Sequence, residues 1–181
     1  TVWPSDWVRT GPNCDYKTFE STTACTLVTN LPDIKTENNE DVALPPFLIE
    51  KWKKEGRYDK EMKELDAFFA RTGYPKAPKY YIIKWLTDYI LDYGIDGYRA
   101  DTVKHTEANV WTDFKKQCDY AFATWKKNNP TEVLDNNPFF TIAEVYNYGI
   151  GAGQEFDFGD KKINYSKHGS SIMISFEFTY A

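Results

Sequence analysis

The residues best suited to chemistry lie within positions 97–105, where the sequence is GYRADTVKH. This segment places Arg99, Asp101, Lys104 and His105 around the end of a short apolar run that follows a strongly periodic helical segment. That order predicts a strand with its charged residues near the carboxyl end. Side chains two residues apart on a strand point the same way, so Arg99 can hold the Asp101 carboxylate ionised and oriented. An aspartate kept anionic in this way is a candidate nucleophile.

A second candidate, Glu144, lies near the end of another short run that favours a strand, FFTIAEV at residues 139–145. Apolar surroundings favour the protonated form of a carboxylate, which a general acid needs near neutral pH. Asp101 beside an arginine and Glu144 among apolar residues would provide one group to attack and one to donate a proton. This division of labour is that of glycoside hydrolysis with retention.

Three segments in order resemble signature regions of the α-amylase family of glycoside hydrolases. They are LPDI at residues 31–34, GYRADTVKH at 97–105 and FTIAEVYN at 140–147. The resemblance is to bacterial α-amylases, and it implies endo-hydrolysis of α-1,4-glucosidic bonds in starch-like α-glucans. It also implies an α/β fold, the (β/α)8 TIM barrel, in which active sites lie at the carboxyl ends of the strands.

The resemblance assigns roles to individual residues. It implies that Asp101 is the catalytic nucleophile, that Glu144 is the general acid/base, and that Arg99 positions Asp101. Lys104 and His105 would bind substrate on the leaving-group side of the sugar chain.

A structural calcium ion is also implied by the resemblance. Asp33 and the backbone carbonyl of His105 would help to hold it, and oxygen ligands of this kind suit calcium. By default, an aspartate that follows a proline is an ordinary turn residue, so Asp33 has a second interpretation.

The apolar spacing predicts which elements position these residues. Residues 1–75 are expected to form an irregular and partly helical subdomain, inserted between a barrel strand and its helix, with helical pieces between 40 and 72. Residues 76–181 are expected to form central βα units of an incomplete barrel. Their predicted elements are a helix over 78–93, a helix that begins after its N-cap Asn109 and ends at about Asn128, strands at both motifs, a loop at 149–160 and a third strand at 172–180.

Each of the two long helices carries an apolar stripe. The stripe of the first comprises Ile82, Trp85, Leu86, Tyr89, Ile90 and Tyr93. The stripe of the second comprises Trp111, Phe114, Cys118, Ala121, Phe122 and Trp125.

Two further motifs of the family are missing from this chain. One is an early Asp-x-x-x-Asn-His motif, and the other is a late Asn-His-Asp motif that carries a third catalytic carboxylate. The chain has two histidines, His105 and His168, and neither lies in such a context. Its 181 residues also fall short of the roughly 250 of a complete barrel. We therefore expect a central fragment of an α-amylase that is inactive by itself and self-associates through uncovered apolar faces.

Composition limits the partners and the compartment. The 27 acidic and 22 basic residues give a net charge of −5, which argues against nucleic acid because no basic stripe is available. No apolar stretch approaches the roughly 20 residues of a membrane span. Cys14 and Cys25 are close enough in sequence for a disulfide that braces the irregular segment, and Cys118 is expected to be a buried free thiol. An extracellular or periplasmic location is compatible with such a disulfide.

Other interpretations remain open at the level of sequence. Arg99 and Asp101 could form a structural ion pair, Glu144 could be a surface or capping residue, and His105 could be a solvent-exposed side chain. The same catalytic residues would also serve a transglycosylase or a debranching enzyme of the family. A noncatalytic amylase-like domain for glucan binding or assembly is a further alternative, although such domains usually lose a catalytic carboxylate and both expected here are present.

Overall fold

The computed structural model describes residues 2–29, 31–145 and 155–169, together with the backbone of 172–174. Its helices are α1 (Phe19–Thr23), α2 (Pro46–Lys54), α3 (Tyr58–Thr72), α4 (Pro78–Tyr93) and α5 (Ala108–Asn128). Its strands are β1 (Val8–Arg9), β2 (Asp33–Ile34), β3 (Gly97–Ala100), β4 (Phe140–Glu144), β5 (Phe156–Asp157), β6 (Lys162–Ile163) and β7 (Ile172–Ile174). Short 3-10 turns cover Val103–His105 and Tyr165–Lys167.

The central sheet is parallel and has the order β3-β4-β7. Helix α5 connects β3 to β4, as a parallel pair requires, because a crossover must return the chain to the same end of the sheet. Both motif strands were predicted and both are present. The predicted third strand is confirmed over Ile172–Ile174, and the rest of that prediction, residues 175–180, lies outside the described residues.

Residues 2–29 and 31–45 form short elements joined by irregular backbone. Strands β1 and β2 pair antiparallel over two residues each, with Arg9 opposite Asp33. Helix α1 is held at its start by a capping box between Thr18 and Ser21. The first helical position of α2 is Pro46, where the missing N–H carries no penalty.

Gly94 allows α4 to lead directly into β3. It has a left-handed φ of 67°, and its N–H donates to the carbonyl of Ile90 at 2.9 Å. A Cβ atom at this position would lie 2.3 Å from the indole of Trp125 on α5. Glycine is therefore required both for the backbone conformation and for the close approach of the two helices.

One large hydrophobic cluster joins the N-terminal part of the chain to α4 and α5. Trp7, Trp52, Leu65 and Phe69 belong to it, and so do Ile90 of α4 and several residues of α5. Most of the stripe predicted for α5 is confirmed, since Phe114, Cys118, Ala121 and Phe122 are buried. The irregular N-terminal part is thus packed on the βα units, and it shares their core.

The buried face of α4 differs from the predicted stripe. Ile90 is fully buried, but Tyr93 at the end of the stripe is 72% exposed. Burial is instead concentrated in the first half of the helix, where Tyr80 stacks on Tyr74 with ring centres 4.2 Å apart and Tyr81 packs against Trp7. The first half of α4 is covered from more than one side, whereas its last residue, Tyr93, is exposed. A single helical stripe therefore cannot describe the contacts of this helix.

Two further boundaries differ from the sequence prediction. Helix α5 begins at Ala108 with Glu107 as its N-cap, ahead of the predicted cap at Asn109. The predicted loop at 149–160 includes Phe156–Asp157, which pairs antiparallel with Lys162–Ile163. Each strand of this hairpin has only two residues, which is too short for an alternating pattern to identify it.

The disulfide predicted between Cys14 and Cys25 is present, and Cys118 is a buried free cysteine. The bond encloses a short loop that contains α1 and has little core of its own. Among the described residues, none of the helices combines the length and the apolarity that a membrane crossing demands.

Asp88 should make the stability of this helical layer depend on pH. Burial raises the pKa of Asp88 from its ordinary value of 3.8 to about 6, and Lys84 opposes this rise. The folded state therefore holds the proton more tightly, so the contribution of Asp88 to stability is present below about pH 4 and is lost as the pH rises to about 6. Between these values, the free energy of unfolding of the wild type relative to Asp88→Asn should fall by up to about 2 kcal/mol, after allowance for partial solvent screening.

Urea unfolding at several pH values measures this difference. Asp119→Asn is the matched control, because Asp119 forms the same i, i+4 ion pair with Lys115 but is more exposed. A difference between wild type and Asp88→Asn that stays constant between pH 4 and 6 would contradict the prediction.

The disulfide should stabilise the protein that carries this chain by about 3 kcal/mol, because it closes a loop with a sequence separation of 11 and so restricts the unfolded state. We expect the double variant Cys14→Ser/Cys25→Ser to lose that amount in denaturant unfolding, with Cys118→Ala as the control that keeps the bond. Alkylation of the denatured, unreduced protein should modify Cys118 and spare the other two. Modification of all three cysteines would refute the pairing.

Candidate active site

The parallel register brings Asp101 and Glu144 to the same edge of the sheet. Ala100 at the end of β3 is paired with Ala143 of β4. Asp101 follows β3 directly and Glu144 is the last residue of β4, so both carboxylates lie at the carboxyl ends of adjacent strands. Polar groups of different strands converge in this way when parallel strands end at one edge.

The two carboxylates have different surroundings. Glu144 is only 5% exposed, whereas the side chain of Asp101 is 68% exposed. The backbone N–H of Thr102 donates to Oε2 of Glu144 at 2.9 Å. The residue that follows Asp101 therefore holds the Glu144 carboxylate, and this contact ties the two strand ends together.

Thr102 adopts an unusual conformation to make this contact. Its φ of 49° is in the left-handed region, which a β-branched residue seldom adopts. Such strain persists only where the surrounding structure enforces it, and it is common at functional sites. Here it turns the chain sharply from β3 into the 3-10 turn that carries Lys104 and His105.

Arg99 and Asp101 form the expected ion pair. Nη2 of Arg99 lies 3.4 Å from Oδ1 of Asp101, and both side chains point to the same side of the strand. Because both are substantially exposed, the pair contributes orientation more than stability. The geometry agrees with a residue that positions the candidate nucleophile.

Lys104 is half-buried beneath two aromatic rings. Its ammonium group lies 4.8 Å from the centre of the Phe156 ring and 5.5 Å from that of Tyr16. Desolvation lowers the pKa of Lys104, and the nearby charge of Glu144 opposes this shift. Lys104 therefore faces the acidic strand end as well as the aromatic rings.

His105 contacts the irregular N-terminal segment rather than open solvent. Its Nδ1 lies 3.0 Å from the carbonyl oxygen of Thr22, and the edge of its ring packs on Tyr16. Desolvation lowers the pKa of His105, and the hydrogen bond to Thr22 acts in the opposite direction. The interpretation of His105 as a solvent-exposed side chain does not fit this environment.

A small second core supports the strand ends. Ala143 and Val145 pack with Val103 of the 3-10 turn and with Phe158 and Tyr165. Trp111 of α5 donates its indole N–H to the carbonyl of Val103 at 3.0 Å. This packing fixes the turn that carries Lys104 and His105 relative to β4.

Asp33, the predicted calcium ligand, lies beside an arginine. Nη1 of Arg9 is 3.7 Å from Oδ2 of Asp33, and the same guanidinium hydrogen-bonds to Glu37 and to the carbonyl of Thr23. Desolvation raises the pKa of Asp33, with Arg9 acting against it. These oxygen atoms are of the kind that calcium prefers, and in this structure they surround the positive charge of Arg9.

Among the described residues, the side chains with spacing suited to a metal ion are those of Cys14, Cys25 and His105. The two sulfur atoms form the disulfide, so they are not available as thiolate ligands. The calcium site predicted at Asp33 and the carbonyl of His105 remains a prediction.

The sequence did not indicate several residues that shape this site. Thr102 contributes a backbone N–H, which no side-chain pattern reveals. Tyr16, Phe156 and Arg9 are far from the motifs in sequence, and only the fold brings them near. An aromatic residue inside the loop closed by Cys14 and Cys25, and a lone arginine preceding that loop, were weak signals for Tyr16 and Arg9.

Comparisons with known proteins found similarity to alpha-amylases. The chain is 32% identical over 177 residues to a periplasmic alpha-amylase of Escherichia coli, a match that covers 97% of this chain and 22% of that protein. A crystal structure of an Anoxybacillus alpha-amylase is 26% identical and covers 55% of this chain and 17% of its own, with a TM-score of 0.37. None of the protein-family profiles matches the chain.

The curated relative aligns along nearly all of this chain, but the chain spans only about a fifth of that relative's length. The match covers 97% of a chain whose three motifs resemble those of the α-amylase family. The chain is therefore an amylase-like glycoside hydrolase segment.

Proposed function

We propose that this chain supplies the nucleophile and the general acid/base of a retaining α-amylase acting on internal α-1,4 bonds of starch-like glucans. The observation that carries the proposal is the hydrogen bond from the N–H of Thr102 to Glu144. This hydrogen bond joins the buried carboxylate of Glu144 to Thr102, the residue that follows the exposed Asp101. Two carboxyl groups with different surroundings at one edge of a sheet suit the two roles.

In the first step of the proposed reaction, the carboxylate of Asp101 attacks the anomeric carbon. The bond from that carbon to the glycosidic oxygen breaks, and Glu144 donates a proton to the departing oxygen. Retention requires the two carboxyl groups to lie about 5 to 5.5 Å apart when substrate is bound.

In the second step, Glu144 takes a proton from water as the water attacks the anomeric carbon. The ester bond to Asp101 breaks, and the carboxylate is restored. Arg99 keeps Asp101 oriented in both steps, because its guanidinium lies against one carboxylate oxygen. The exposure of Asp101 leaves room for a sugar ring above it.

Lys104 and His105 are proposed to bind the sugar chain on the leaving-group side. The ammonium of Lys104 lies near both Glu144 and the exposed Tyr16, so it can reach hydroxyl groups of a bound glucan. His105 has its Nδ1 committed to Thr22, which fixes the orientation of the ring. No step of this mechanism depends on calcium.

A transglycosylase or a debranching enzyme remains the alternative, since both would use the same two carboxylates. The choice between water and a sugar as acceptor depends on residues around the strand ends. A noncatalytic glucan-binding or assembly role is less well supported, because both carboxylates and Arg99 are retained. Export to the periplasm or the cell exterior is proposed from the disulfide and from the name of the relative.

This chain by itself is proposed to be inactive. The late motif with the third carboxylate is absent from its sequence, and loss of one such charge commonly reduces turnover by about 100-fold or more. Uncovered apolar helix faces such as that of Tyr93 would also favour self-association. Release of reducing ends from starch by the isolated monomeric chain, at rates near those of a complete amylase, would contradict this proposal.

Replacement of Asp101 by asparagine should abolish turnover in the protein that carries this chain, because the amide cannot form the glycosyl ester. The loss should be at least about 1,000-fold in kcat, with glucan binding largely kept. Arg99→Lys should lower kcat much less, since it preserves the positive charge beside Asp101. Trapping of a glycosyl adduct on a residue other than Asp101 would overturn the assignment.

Replacement of Glu144 by glutamine should separate its role from that of Asp101. Without a proton donor, cleavage of glucans with poor leaving groups should slow by about 100-fold or more. Aryl glycosides with acidic leaving groups need no protonation, so formation of their glycosyl intermediate should be nearly unaffected. Pre-steady-state bursts measure this step, and equal losses for both substrate types would argue against a general acid at Glu144.

A further inference from the structure

We infer that the guanidinium of Arg9 is a built-in cation that takes the structural place of a divalent ion at Asp33. It joins three parts of the chain: β1, which carries Arg9 itself, the strand and turn that carry Asp33 and Glu37, and the end of α1 at Thr23. This inference does not depend on the reaction that the protein catalyses.

The first observation is the set of atoms around Arg9. Nη1 donates to the carbonyl of Thr23 at 3.0 Å and lies 3.7 Å from Oδ2 of Asp33, while Nη2 donates to Oε2 of Glu37. One carbonyl and two carboxylates form a negatively polarised cage. Hard cations such as calcium use donors of this kind, but here a guanidinium fills the cage.

The second observation is the burial of the arginine. Its side chain is 5% exposed, whereas those of Asp33 and Glu37 are 44% and 42% exposed. A buried guanidinium is not deprotonated, so its charge must be neutralised where it lies. Asp33 and Glu37 supply that neutralisation, and an ion that shared Asp33 would be repelled by Arg9 at close range.

The third observation concerns the connection between α1 and the candidate site. Two consecutive carbonyls of α1 are bound by side chains, Thr22 by His105 and Thr23 by Arg9. Direct hydrogen bonds therefore join the irregular segment to both the β1–β2 pair and the turn after β3. A divalent ion is not needed to make this connection.

The test compares the thermal shift that calcium produces in the protein that carries this chain. After exhaustive chelation, the melting temperature is measured with and without added calcium for the wild type and for Asp33→Asn. The proposal expects the same calcium shift in both, since no ion uses Asp33. A shift in the wild type that Asp33→Asn abolishes would overturn it.

Removal of the arginine should create a dependence of stability on calcium at Asp33, which the wild type lacks. Arg9→Gln keeps a donor for Thr23 but removes the charge, so it should lower the melting temperature in chelator and gain a calcium shift that the added change Asp33→Asn removes. Arg57→Gln is the control, because Arg57 also pairs with two carboxylates, Glu55 and Glu61, but at the surface. Failure of calcium to stabilise Arg9→Gln any more than the control would count against the proposal.

If Arg9→Gln does not fold, a second measurement that needs no arginine variant still tests the proposal. Bound calcium is counted by elemental analysis after gel filtration of the wild type and of Asp33→Asn. Equal stoichiometry supports the inference. One ion fewer in Asp33→Asn would show that calcium binds beside Arg9, and the inference would be wrong.

Discussion

The pairing of β3 with β4 in parallel register is the constraint on which the candidate site depends. It aligns Ala100 with Ala143, and the next residue on each strand is a carboxylate. A shift of the register by one residue would turn one of these side chains to the opposite face. The hydrogen bond from the N–H of Thr102 to Glu144 adds to the strand pairing and fixes the positions of the two strand ends relative to each other.

Around this pair, the structure combines the exposed carboxylate of Asp101 with the buried and hydrogen-bonded carboxylate of Glu144. The nucleophile proposed at Asp101 would need access to an anomeric carbon, and its exposure leaves that access open. Glu144 is enclosed by the packing of Ala143 and Val145 on Val103, Phe158 and Tyr165. The strain at Thr102 is the local consequence of bringing the loop after one strand onto the carboxylate of the next.

The loop that contains α1 has little apolar core of its own, so polar contacts help to hold it against the strand ends. Cys14 and Cys25 close the loop that contains α1, and the carbonyls of Thr22 and Thr23 bind His105 and Arg9. Aromatic contacts add to this attachment, since Tyr16 packs on His105 and lies near Lys104. Changes in this segment should therefore affect the proposed substrate-binding residues without touching the two carboxylates.

Local patterns in the amino-acid sequence were enough to predict several features of the structure. The two strands followed from short apolar runs and α4 from its helical apolar spacing, and the ion pair of Arg99 with Asp101 followed from a spacing of two on a strand. The disulfide was also predictable, because Cys14 and Cys25 are close in the chain. The chemical roles of Asp101 and Glu144 came from motif resemblance, which spacing alone could not supply.

Long-range packing sets which surfaces are covered and which distant groups meet. The stripe predicted for α4 failed at Tyr93 because helix periodicity identifies an apolar face but not the elements that pack on it. Arg9 lies opposite Asp33 because β1 pairs with β2, and strands of two residues are too short to show an alternating sequence pattern. The contact of Thr102 with Glu144 arises from backbone conformation and strand register, and both are set by long-range packing rather than by neighbouring residues in the chain.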